Sequence, residues 1–114
     1  MKSFTISRKK WLHGTKRRQA EGLLLGDGKQ CCVGIYLSAL GVDDHCLSLV
    51  SRASEIAWCL PEEAKWLLGS SDKPGGLAHR LYGVNDRVGI SQDQREAKVR
   101  KLFREAGIKV RYKG

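Results

Sequence analysis

Apolar positions divide this chain into short segments with different periods. From Cys31 to Leu40 almost every residue is apolar: Cys31, Cys32, Val33, Ile35, Tyr36, Leu37, Ala39 and Leu40, with Gly41 behind them as a helix stop. A helix that is apolar around most of its circumference belongs at the centre of a core. Gly34 inside it costs about 1 kcal/mol of helix propensity relative to alanine, which a close approach by another backbone would explain. The clearest periodic segment comes near the end. Ser91-Gln92-Asp93-Gln94 has the form of a capping box. Val99, Leu102, Phe103 and Ala106 follow at helical spacing, with Arg95, Lys98, Arg100, Lys101 and Arg104 largely off that stripe, and Gly107 as the stop. Ile108 to Tyr112 then alternates apolar and basic residues, the pattern of a half-buried strand.

The remaining elements are shorter. Ser7 caps a short helix from Arg8 to His13, ended by Gly14. Leu23-Leu24-Leu25, before Gly26-Asp27-Gly28, reads as a strand entering a tight turn. Residues 43–58 form a less regular stretch. Pro61 opens a helix with Glu62 and Glu63 near its positive end, which Gly69 ends. Leu77, Ala78, Leu81 and Tyr82 fit a short helix with one apolar face, and 83–90 reads as a loop. The fold class expected is α+β: a small, mainly helical single domain over residues 1–114, with a central buried helix and a short β-sheet.

At 114 residues with 41% hydrophobic and 29% charged positions, the chain has enough apolar content for one modest core and too little length for two. No apolar run approaches the roughly 20 residues of a membrane helix, so no membrane partner is expected. Arg8, Lys9 and Lys10 interrupt the N-terminal segment before a signal-type apolar stretch can form, which points to the cytoplasm.

The net charge of +9 is unevenly distributed. Residues 1–18 carry +7, residues 95–114 carry +6, and the middle carries −4. If the terminal strands pair, the two basic ends converge on one face that attracts phosphates or an acidic protein surface. The residues expected on that face are Arg8, Lys9, Lys10, Lys16, Arg17, Arg18, Arg100, Lys101, Arg104, Lys109 and Arg111. A solvated basic surface that keeps a small protein soluble is the plainer alternative. No zinc-finger, RNP or KH signature accompanies the charge. Trp11 beside Lys10 is either a base-stacking side chain or a core anchor for the N-terminal segment.

Candidate chemistry is sparse. Cys31, Cys32, Cys46 and Cys59 are expected as reduced thiols, mainly small buried hydrophobes. A zinc site from these with His45 and His79 lacks any C-x-x-C pair. Cys31 or Cys32 at a helix N-terminus would have a lowered thiol pKa, and His79 and Asn85 would complete a Cys-His-Asn set, although no thiol-protease signature surrounds them. Gly26-Asp27-Gly28-Lys29 lacks both phosphate-loop patterns and reads as a turn. Asn85-Asp86, with Asp72 and Asp93, suits turn and cap chemistry better than a divalent ion. No catalytic residue, metal or cofactor is assigned.

Gly28-Lys29-Gln30-Cys31-Cys32-Val33-Gly34 resembles the Gly-x-x-Cys-Cys-Leu-Gly pattern of small uncharacterised proteins of tailed phages and prophages. Trp11-Leu12-His13-Gly14 is similar to the Trp-x-x-Gly segment upstream in those proteins. Leu81 to Asp86, followed by the 91–106 helix, is similar to their Leu-Asn-Asp and helix. Val33 stands where leucine is usual, and extra residues separate Leu81 from Asn85. The islands span about two thirds of the chain. The resemblance implies an accessory protein acting in the cytoplasm of an infected bacterium, of the kind that binds and blocks a host or rival factor. Three functions follow in order: a non-enzymatic accessory or inhibitor protein docking an acidic protein surface through its basic face, a direct nucleic-acid-binding protein, and a small thiol-dependent enzyme.

Overall fold

The two ends of the chain meet in a parallel two-stranded sheet. Strand β1 (Ser3–Ser7) and strand β2 (Lys109–Lys113) pair with Ser3 opposite Lys109, Phe4 opposite Val110, Thr5 opposite Arg111, Ile6 opposite Tyr112 and Ser7 opposite Lys113. Successive strand residues point to opposite faces. Phe4, Ile6 and Val110 are therefore buried while Ser3, Thr5, Lys109, Arg111 and Lys113 stand on the outside. Parallel pairing needs a long crossover, and the helical body supplies it. The computed structural model describes residues 3–13, 28–48, 53–69 and 76–114.

The expected helix from Arg8 to His13 is absent. Ser7 ends β1, a tight turn closes with Lys10 N–H donating to the Ser7 carbonyl at 3.1 Å, and Trp11 bridges Gln30 in parallel. Leu12 N–H donates to the Gln30 carbonyl at 2.7 Å and Gln30 N–H to the Lys10 carbonyl at 2.8 Å. Three adjacent cations offer a helix no local pairing. Distant contacts decide the conformation: Phe4 and Ile6 enter the core, and the side chains of Arg8 and Trp11 are held by residues over 70 positions away.

Helix α1 (Cys32–Ala39) is the buried centre, with every residue from Cys32 to Leu37 buried. Cys31 is its N-cap, its sulfur accepting from the Gly34 N–H at 3.5 Å. At its other end Gly41 takes φ +91°, its N–H donating to Ser38 and that of Val42 to Leu37, a Schellman ending that glycine makes without steric cost. Helix α2 (Asp44–Ser48) and two 3₁₀ helices (Ala53–Cys59, kinked at Ile56, and Glu62–Leu67, capped by Pro61) wrap one side. Tyr36 of α1, Trp66 of the second 3₁₀ helix, Phe4 of β1 and Phe103 pack with ring centroids 4.9–5.7 Å apart. The Tyr36 hydroxyl accepts from Trp66 Nε1 at 3.0 Å and donates to the Glu63 carbonyl at 3.2 Å.

Helix α3 (Gly76–Asp86) runs through residues 83–86, which the sequence places in a loop. A tertiary contact extends it: Asn85 is fully buried and bonded to two other segments. Helix α4 (Gln92–Glu105) has the expected capping box, with Ser91 Oγ accepting from Gln94 N–H at 3.1 Å and Gln94 Oε1 from Ser91 N–H at 3.1 Å. Its buried face holds Val99 and Phe103, and also Arg95 and Glu96. Arg95 was expected off the stripe; its guanidinium instead reaches Gln92 Oε1 at 3.1 Å and the Arg87 carbonyl, fixing the entry to α4. Gly107, at φ +81°, turns the chain from α4 into β2. The fold is thus α+β and mainly helical, with a central buried helix and a short sheet. The expected Leu23–Leu25 strand lies outside the described residues.

Candidate interaction face

The outward side of the sheet is a ladder. Each β2 cation lies beside a β1 hydroxyl: Lys109 by Ser3, Arg111 by Thr5 and Lys113 by Ser7. The three cations stand about 6.6 Å apart along the strand, twice the rise per residue. No acidic residue belongs to either strand. Arg8 N–H donates to the Lys113 carbonyl at 2.8 Å, which carries the pairing into the turn, and Lys9 Cγ lies 3.8 Å from where a β-carbon on Gly114 would be. Exposed Lys9 and Lys10 therefore extend from the end where Lys113 sits.

Lys109 also joins the ladder to α4. With Arg100, Arg104, Gly107, Ile108 and Val110 it lines a shallow cavity of about 380 Å³. Lys101 lies on the other flank of α4, where Arg80, Arg87 and Lys98 surround a second hollow of about 340 Å³. Arg80 is paired with Glu105 at 3.3 Å. Arg100, Arg104 and Lys109 thus share one hollow, Lys109, Arg111 and Lys113 share the outward side of β2, Lys9 lies by its far end with Lys10 next in the turn, and Lys101 is set apart. Lys16, Arg17 and Arg18 lie outside the described residues.

Arg8 sits at this face in a fixed position. Its Nε and Nη2 donate to the two carboxylate oxygens of Glu96, each at 2.8 Å. The guanidinium lies 5.4 Å from the Tyr112 ring centroid, and that of Arg100 lies 5.1 Å from it. The Tyr112 hydroxyl donates to the Glu96 carbonyl at 2.7 Å. Arg8 holds the Glu96 carboxyl below its ordinary range and is itself raised by that hydrogen bond. A fork-shaped guanidinium matched to a carboxylate fixes geometry as well as charge. Arg8 is therefore a positioning residue that anchors the turn bearing Lys9 and Lys10. Glu96 was invisible as its partner because 88 residues separate them.

Behind the face lies a junction that the sequence reading treats as turn chemistry. Asn85 Oδ1 accepts from Trp11 Nε1 at 2.6 Å and from Cys32 N–H at 3.0 Å. Its amide nitrogen donates to the Leu12 carbonyl at 2.9 Å and to Asp86 Oδ1 at 3.0 Å. One side chain thus ties the N-terminal segment, the start of α1 and the end of α3. Trp11 is 4% exposed and stacks on Tyr112 at 5.7 Å, so it is a core anchor and unavailable to stack on a base.

Cys31 and Cys32 are buried in the core as small apolar side chains, and neither has a lowered thiol pKa at the start of α1. Burial pushes Cys31 up to about 11 and raises Cys32 well above its ordinary value, outweighing the backbone N–H groups at the start of α1. Asn85 faces Trp11, Leu12, Cys32 and Asp86, and His79 is exposed on α3. Among the described residues no group of three or more His, Cys, Asp and Glu side chains is placed to hold a metal, and no helix is long and apolar enough to cross a membrane. Compared with known proteins, the chain matches no family model, no curated protein and no solved structure.

Proposed function

We propose that this chain is a non-enzymatic accessory or inhibitor protein of the tailed-phage type. It docks an acidic host or rival protein surface through its basic face, in the cytoplasm of the infected cell. The observation that carries the reading is the register of β1 on β2, which holds Lys109, Arg111 and Lys113 in one outward row with a hydroxyl beside each. Carboxylates accept readily from such donors, and clustered single-sign charge steers encounter with an oppositely charged partner. Single exposed ion pairs contribute only about 0–1 kcal/mol. Such a face therefore acts as a set, and its binding weakens with salt over distances beyond the roughly 8 Å Debye length at physiological ionic strength.

The test is a pull-down from infected bacterial lysate with the full chain, repeated after nuclease treatment and across a salt series. Reversing Lys109, Arg111 and Lys113 to glutamate is expected to abolish capture of a partner that survives nuclease. Capture that ignores both salt and the triple reversal refutes the reading. Reversal of Lys16, Arg17 and Arg18 measures the share of the preceding basic segment.

Direct nucleic-acid binding is the second reading, favoured by the pairing of hydroxyls with cations, since phosphate oxygens take hydrogen bonds from both. Sequence-tolerant single-strand binding uses exposed aromatic platforms; Trp11 is buried at this face, which favours the protein partner. A gel shift with unlabelled competitors, together with loss of capture after nuclease, would assign the nucleic-acid role instead.

A further inference from the structure

Two of the four cysteines form a pair away from the basic face. Cys46 lies on α2 and Cys59 ends the first 3₁₀ helix; both are half-buried and free. The two thiols face one cavity and Cys46 acts on the ionisation of Cys59, whose sulfur also contacts the Ile56 carbonyl at 3.3 Å. Both line a shallow cavity of about 240 Å³ with Leu40, Gly41, Val42, Asp43 and Pro61. Trp58, next in sequence to Cys59, is 80% exposed. Cys31 and Cys32 differ on each count: they are fully buried, and adjacent in the chain.

We propose that Cys46 and Cys59 are a dithiol modification site, open to solvent through this cavity, which hydroperoxides convert to an intramolecular disulfide joining α2 to the first 3₁₀ helix. The oxidant is a peroxide, and two electrons pass from the sulfurs to its O–O bond. One thiol, as thiolate, attacks a peroxide oxygen; the O–O bond breaks, a sulfenic acid forms and the other oxygen leaves as water or alcohol. The second sulfur attacks the sulfenic sulfur, the S–O bond breaks, and that oxygen departs with the remaining protons as a second water. Two thiols lining one shallow cavity, on elements that pack together, can close to the disulfide length of about 2.05 Å by local movement. Burial, and secondarily Cys46, push the Cys59 thiol up. Since the thiolate is the nucleophile, bridging accelerates as pH rises above neutrality.

The experiment treats the reduced full chain with hydrogen peroxide and maps its peptides. A peptide pair linked through Cys46 and Cys59 is expected, with the intact mass lower by two hydrogens and a rate independent of protein concentration. Cys31 and Cys32 are expected to remain reduced. A change in Trp58 emission should accompany bridging and be absent from Cys46→Ser and Cys59→Ser, which carry sulfenic or sulfinic acid on the remaining thiol. Separate over-oxidation of the two cysteines in the wild-type chain, with no linked peptide, overturns the proposal. So does a bridge that forms only between molecules. Because the wild-type peptide map decides the outcome, failure of either serine variant to fold leaves the result readable.

Discussion

Replacing Asn85 with alanine removes the side chain that joins the three segments around α1. In the wild-type protein its amide accepts from Trp11 Nε1 and Cys32 N–H and donates to the Leu12 carbonyl, all at 2.6–3.0 Å, and none of it is exposed. Alanine leaves those three buried groups without their partner. Each loss costs about 1–3 kcal/mol. A water entering the vacated space recovers part of this, since the site is polar and offers it several partners. The expected loss is therefore about 3–6 kcal/mol, set by three unmet hydrogen bonds. That is a large share of the roughly 5–15 kcal/mol that holds a small domain together.

The assay is urea unfolding followed by tryptophan fluorescence, with Val88→Ala, at a 51% exposed position, as the surface control. Asn85→Asp separates the two halves of the amide. It keeps an acceptor for Trp11 and Cys32 but places an oxygen against the Leu12 carbonyl and Asp86, so it should be destabilised near neutrality and recover as acid protonates it. Trp11→Phe should combine with Asn85→Ala in less than additive fashion, because both remove the same contact. A loss below about 1 kcal/mol for Asn85→Ala, no larger than a typical surface change, would refute the junction.

The remaining predictions are narrower. Glu96 ionises more easily folded than unfolded because Arg8 holds its carboxylate, so its stabilising effect is present above about pH 4.5 and is lost as pH falls through the lower folded value. Glu96→Gln should flatten the acid limb of a plot of stability against pH; an unchanged limb counts against the ion pair. Gly107→Ala meets no atom within 4 Å but must adopt φ +81°, so it should cost about 1–2 kcal/mol through backbone conformation alone. A matching change at Gly83, which is helical and equally open, should be neutral or stabilising, and equal urea midpoints for the two variants would contradict this account.

Local signals were legible wherever they decided the structure. The capping box at Ser91, the stop at Gly107 and the apolar run from Cys31 each produced the element their chemistry favours. Distant partners decided the rest. Ser7 to His13 carries a plausible cap and a helix-like length, yet β2, Glu96 and Asn85 hold it as strand, turn and bridge. Arg95 reads as a solvent-facing cation until Gln92 and the Arg87 carbonyl bury it. The charge asymmetry raises a meeting of the two ends but not its form, because register is a property of two strands and the sequence reading assigns none to Ser3–Ser7.

Trp11, Cys31, Cys32 and Asn85 bear on this division. They come from three separated segments, and around α1 they form one buried contact set. Their chemistry here is structural: an indole N–H, a helix-start N–H and a backbone carbonyl satisfied by one amide, with a thiol as helix cap. A pattern of this kind specifies how the N-terminal segment, α1 and α3 lock together. The ladder of Lys109, Arg111 and Lys113 lies on the opposite side of the sheet from that lock, at positions where Ser3, Thr5 and solvent are the neighbours. Substitution there disturbs no core contact. The informative comparison is therefore between Asn85→Ala, which should lose binding only by unfolding, and the β2 charge reversal, which should lose binding with the urea midpoint unchanged. If both variants lost stability and binding in parallel, scaffold and interface would be one unit, and the basic row could not be assigned as the docking surface.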